Sequence, residues 1–131
     1  MPKRPYEYAI VRFVPDVERG ETINVGVIVS SPPADHLACR IEFDRARLQA
    51  FAGDACLNTL ERHLQGLRWV CTGDARGGPV AAMPLRERFH WMVHPRSTAL
   101  QTSAVHGGLT EDLDAVLPAL YDRLVATRSA P

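Results

Sequence analysis

Charge of one sign is what this sequence lacks: fifteen Lys and Arg stand against fifteen Asp and Glu. A neutral chain has no long-range field to draw in phosphate backbones or anionic lipid, so nucleic acid is not the expected partner unless a local patch supplies the charge. Cysteine is scarce as well. Cys39, Cys56 and Cys71 form an odd set with no C-x-x-C spacing, which argues against a stapled secreted framework and a paired-cysteine zinc site and makes reduced, buried thiols the reading. No run reaches the roughly 18 apolar residues needed to span a bilayer, and the opening MPKRPYEY lacks the apolar stretch of a signal peptide. The expectation is a cytoplasmic protein with no membrane contact.

Chemical motifs are equally thin. The glycine-rich segment GDARGG, residues 73–78, has neither the lysine nor the serine or threonine of a phosphate-cradling loop, and no G-x-S-x-G elbow presents a serine. No cofactor is expected. His90 and His94 lie four apart, a spacing that shares one face of a helix or a strand, and His106 could join them. Without H-E-x-x-H or a clear third ligand, surface or core-edge histidines are the favoured reading and a metal site the weaker one.

What is present is enough apolar material, 46% of 131 residues, to build one core without metal or disulfide help. From Tyr6 to Val14 both alternating sets are mainly apolar, as in a strand inside a sheet or covered on both sides. Arg12 stands out there, because a buried guanidinium needs a partner. Pro15 ends that strand, Asp16 to Thr22 reads as a turn, and Ile23 to Val29 forms a second strand with Gly26 marking a bulge or a close approach. Leu37 to Phe43 alternates as a half-exposed third, and short connections predict an antiparallel meander.

Helices are predicted next. Asp44 caps one from Arg45 to Ala52, closed by Gly53, and Asp54 caps a longer one whose Leu57, Leu60, Leu64, Leu67 and Cys71 make one stripe before Gly73. Met83 to His94 fits helix and strand alike, with a helix from Pro84 preferred. Thr98 to His106 has strand composition, Gly107–Gly108 a turn, and Thr110 a cap for a last helix in which Pro118 predicts a kink or a late start. The fold class is α+β: a single domain, residues 1–131, with an antiparallel sheet of about four strands and helices packed on it in two layers, residues 1–5 and 127–131 being flexible ends.

Polar residues at apolar positions make the best candidate site: Arg12, Glu21 and Asn24 in the first hairpin, and Arg96, Gln101 and His106 in the late strand. Were those strands adjacent, the six could converge on an anion or a carbonyl. The competing reading is a structural network in which Arg12 pairs with Glu21 and Asn24 ties down the turn. Tyr6, Tyr8 and Arg12 also make a thin version of a stacking face for nucleic acid, although core packing of the tyrosines is preferred.

RFVPDVERGETINVGVIV, residues 12–29, and PRSTALQTSAVHGGLTEDLD, residues 95–114, carry a resemblance to the bacterial family catalogued as domain of unknown function 3037. The resemblance implies a small bacterial protein of unassigned activity, often encoded beside a kinase-fold protein of the HipA-like type. It brings no established catalytic residues. Its matching positions, Arg12, Gly20, Glu21, Asn24, Gly26, Arg96, Ser97 and His106, are candidates.

The expectation is a non-catalytic partner or regulatory binding module acting with a HipA-like kinase, with self-association open. The alternatives are a phosphoryl or phosphodiester hydrolase with Glu21 as base and Arg12, Arg96 or His106 in support, and a nucleic-acid-binding module.

Overall fold

The computed structural model of the chain describes residues 2–94 and 99–126. The first strand, β1 (Arg4–Phe13), begins inside the segment expected to be loose, and it pairs antiparallel with β2 (Ile23–Ser31), which pairs in turn with β3 (His36–Ile41). The expected meander is present. Gly26 lies beside the bulge, where Val11 faces Gly26 but Arg12 faces Asn24, so Val25 is the extra residue on β2. The close approach there comes from β3 and not from a covering helix. A Cβ on Gly26 would stand 2.8 Å from Ile41 Cγ1 and 2.9 Å from the Arg40 carbonyl oxygen.

The far edge of β1 carries two short strands where one was expected. β4 (Leu100–Thr102) pairs with Val11–Phe13, and β5 (His106–Thr110) pairs with Arg4–Tyr8. Ser103 explains the break between them. Its amide donates to the Ile10 carbonyl at 2.8 Å, and its hydroxyl accepts from the Ile10 amide at 2.8 Å. A side chain thus replaces a strand carbonyl, and the backbone is free to leave the ladder until His106.

Gly107 and Gly108, expected in a turn, lie inside β5, and neither takes a positive φ. Gly108 is needed for space. A Cβ there would come within 2.5 Å of Cζ and Oη of Tyr6, whose ring crosses it. The last helix is accordingly capped by Asp112, which accepts from the Asp114 amide at 3.1 Å, and not by Thr110, the final residue of β5.

The helices follow their apolar stripes. α1 (Arg45–Phe51) is capped by Asp44 as expected, while Gly53, expected to close it, is extended and stands at the N-terminus of α2 (Asp54–Thr72). Gly73 does end α2, at φ 75°. Residues 84–94 resolve as helix, α3 (Leu85–Met92), because burial of Phe89 and Met92 at helical spacing serves the core. α4 (Leu113–Leu124) starts at once and runs through Pro118, which is exposed, so water can satisfy the Asp114 carbonyl that a proline nitrogen cannot serve.

Two cores result, one on each face of the sheet. Val11, Phe13, Val25, Ile28 and Ile41 meet Leu57, Leu60, Leu64 and Leu67 of α2 and Phe89 and Met92 of α3. Val27 and Val29 alternate with Ile28 and so point the opposite way, against Val116, Leu120, Tyr121 and Val125. The two-layer expectation gives way to three layers, since α4 is apolar enough to cover the second face of β2. The cover is lopsided. Val27 and Val29 are fully buried, whereas Tyr6, Tyr8, Ile10 and Arg12, on the same face of β1, are only half-buried.

Candidate binding face on the open half of the sheet

Antiparallel register decides which of the predicted residues meet. Arg12 is the Cα partner of Asn24 on one side and of Gln101 on the other. Directly opposed residues project from the same face with Cβ atoms about 4.5–5.5 Å apart. Asn24, Arg12 and Gln101 therefore form one rung across β2, β1 and β4, on the face that α4 covers only in part.

The members of that rung are held differently. Asn24 is committed to structure, since its Nδ2 donates at 3.0 Å to the carbonyl of Leu124 and ties the end of α4 to the sheet. That bond satisfies one of the carbonyls a helix leaves free at its C-terminus, and the turn that Asn24 was expected to secure is held without it. Beside it, Tyr121 donates to the Glu42 carbonyl at 3.2 Å and lies under the Arg40 guanidinium, 4.0 Å from its ring centre. Burial, with the Glu42 carboxylate, raises the Tyr121 hydroxyl above its usual range and keeps it a donor. Arg12, by contrast, has no ion pair or side-chain hydrogen bond among the described residues.

His106 shares this face, opposite Tyr8. Four residues separate Tyr8 from Arg12, about 13 Å at roughly 3.3 Å per residue, so His106 belongs to the same surface but not to the same rung. His106 joins an aromatic patch at the end of the face away from Arg12. The Tyr8 and His106 rings are 5.3 Å apart and tilted by 34°, and Tyr6 and Tyr8 are 6.4 Å apart and tilted by 32°. The Tyr6 ring lies across Gly108. Arg4 is in phase with Tyr6, Tyr8, Ile10 and Arg12, so one side of β1 reads cation, ring, ring, aliphatic, cation.

Glu21 does not join this set. It pairs with Arg19, not with Arg12, and both side chains are exposed. With Asp16 and Pro15 it lines a cleft of about 390 Å³ whose other wall is Ala50, Phe51, Ala52, Gly53 and Cys56, at the α1–α2 junction. Arg12 is not among the walls. Cys56 is exposed there and Cys39 is partly exposed, so of the three thiols expected to be buried only Cys71 is.

Arg96 and Ser97 lie outside the described residues. His90 is on the exposed side of α3 and His94 lies just beyond its end, while His106 is in the sheet. Among the described residues no three His, Cys, Asp or Glu are gathered as a metal ion would need, and no helix is long and apolar enough to cross a membrane.

Sequence reasoning placed the tyrosines in the core, and they do pack on the edge of the second cluster. It missed that their other sides stay open. The signal was available in the common phase of Arg4, Tyr6, Tyr8 and Arg12. Residues 8–125, nearly the whole chain, match the model of a family described as Protein of unknown function (DUF3037). No curated protein and no solved structure matches the chain.

Proposed function

The chain belongs to the DUF3037 family, and from that premise we propose that it is a non-catalytic binding module that holds a partner protein on the open half of its sheet. One observation carries the reading. Arg12 is half-buried without a counter-ion among the described residues, on a surface of Tyr6, Tyr8, Ile10 and His106 that α4 covers only in part. A guanidinium without a counter-ion among the described residues, on the same sheet face as two tyrosine rings, has the composition of interface centres, where Arg and Tyr carry a large share of binding energy. The partner presents a carboxylate to Arg12 and an apolar group to the ring patch. A kinase-fold protein of the HipA-like type, the neighbour that the family resemblance suggests, is the first to test.

The test is the affinity of that protein for the wild type and for Arg12→Glu, with circular dichroism to show that the variant is folded. Charge reversal is expected to weaken binding at least tenfold, about 1.4 kcal/mol. Equal affinity, or no complex at micromolar concentration, would refute the reading.

The alternation of Arg4, Tyr6, Tyr8 and Arg12 supports a second reading, a stacking face for single-stranded nucleic acid. It ranks lower because the whole chain is neutral. Oligonucleotide affinity falling steeply with salt would promote it. A hydrolase with Glu21 as base and Arg12 steadying charge has no comparable support, since Glu21 is paired with Arg19 and Arg12 stands outside its cleft.

A further inference from the structure

Two cysteines that spacing could not pair are brought together across the first core. Cys39 is in the middle of β3, opposite Ile28, and Cys71 is near the end of α2. Helical spacing puts Arg68 and Cys71 on one side of α2, and alternation puts Cys39 and Ile41 on one face of β3. Arg68 Nη2 donates to the Ile41 carbonyl at 2.5 Å, which locks that turn of α2 against that part of the strand. Cys71 is buried in the core cluster and Cys39 packs against it while remaining partly exposed. The two thiols therefore share the region where α2 packs on β3. On the far side, Arg88 Nη1 of α3 donates to the carbonyls of Cys71 and Val70 at 2.8 and 3.0 Å, which fixes the helix end that carries the second thiol.

The surroundings divide the labour between the two sulfurs. The hydrogen bond from Cys71 lowers the Cys39 thiol, burial opposes that, and Arg68 adds to the lowering. Cys71 is pushed up by its bond to Cys39 and by burial, with Arg88 only partly offsetting them. The partly accessible Cys39 is thus the thiol that meets an oxidant first, and the buried Cys71 in the same cluster is placed to resolve it, the arrangement of a peroxide-sensing cysteine and its resolving partner.

We propose that Cys39 and Cys71 are an oxidisable dithiol that closes to a disulfide with hydrogen peroxide as oxidant, joining β3 to α2. The Cys39 thiolate attacks one peroxide oxygen. The O–O bond breaks, an S–O bond forms, and the departing hydroxide takes a proton to leave as water, so that Cys39 becomes a sulfenic acid. Cys71 then gives up its proton and attacks the Cys39 sulfur. The S–O bond breaks, the S–S bond forms, and a second water leaves. Two thiols are oxidised and one peroxide is reduced to two waters. Cys56, exposed at the start of α2 in the cleft of Glu21, has neither cysteine among that cleft's walls and serves as the internal comparison.

The test is intact-mass and peptide analysis of the whole wild-type protein, treated while folded with hydrogen peroxide, then unfolded in urea and treated with a thiol-alkylating reagent, before and after dithiothreitol. Alkylation is expected to be lost at Cys39 and Cys71 together, with one cross-linked peptide pair joining them, and to return on reduction. Cys71→Ser should trap Cys39 as a sulfenic acid that takes up dimedone. Retained alkylation at both positions in the wild type, or oxidation confined to Cys56, overturns the proposal whether or not the variant folds.

Discussion

At the residue scale, what a side chain does here is set by what lies within a few ångströms, and two glycines show how differently that can weigh. At Gly26 an added methyl meets the Arg40 carbonyl and Ile41, both fixed in β3. Gly26→Ala should therefore cost about 1–3 kcal/mol, as overpacking does, read as a lower midpoint in urea. At Gly108 the obstacle is the far end of Tyr6, which can swing away. Gly108→Ala should leave the urea midpoint nearly unchanged and yet weaken partner binding, because the displaced ring no longer lies across β5. Equal midpoints for the two variants would contradict this distinction. Asp74 gives a pH signature. Hydrogen bonds from the Arg76 side chain and amide hold its carboxyl down at about 2 from an ordinary 3.8. A depressed carboxyl contributes stability above its unfolded value and loses it as pH falls through the folded one. Between about pH 4 and pH 2 the wild type should lose stability that Asp74→Asn does not, and parallel acid titrations would show the assignment to be wrong.

The elements were legible wherever periodicity was local. The alternation of Ile23 to Val29 and the stripe from Leu57 to Cys71 predicted strand and helix, and β2 and α2 are there. The late strand was not legible as two pieces. Its break rests on the Ser103 hydroxyl taking the Ile10 amide, a contact 93 residues apart in sequence. Gly107–Gly108 reads as a turn for the same reason, since only the neighbouring Tyr6 ring reveals that the glycine is there for space. Pro118 shows an element tolerating a misfit. Because it is exposed and α4 continues through it, Pro118→Ala should restore one helical bond and raise stability by about 1–3 kcal/mol. A melting temperature at or below that of the wild type would mean that the helix has already absorbed the proline at no cost.

At the scale of the whole molecule, the decisive fact is that one helix covers half of one sheet face. α4 is fastened to the sheet at one end by Asn24 holding the Leu124 carbonyl. Asn24→Ala should loosen that end, leaving a carbonyl unmet at about 1–2 kcal/mol, and should speed amide exchange in α4 more than in α2; equal protection in both helices would count against it. The candidate site was half legible. Arg12, Asn24 and Gln101 drew notice as polar groups among apolar ones, and the sheet does set them on one rung. That Glu21 belongs to another cleft, and that His106 stands beside Tyr8 instead of Arg12, depends on strand order and register, which no local pattern encodes.

Amide chemical shifts of the labelled protein, followed while the HipA-like kinase is titrated in, test the binding face most directly. The account predicts that the largest changes fall on Arg4 to Arg12, Gln101 and His106 to Thr110, with α2 and α3 nearly still. Changes centred on Asp16, Glu21 and Cys56, or no change at saturating partner, would contradict it.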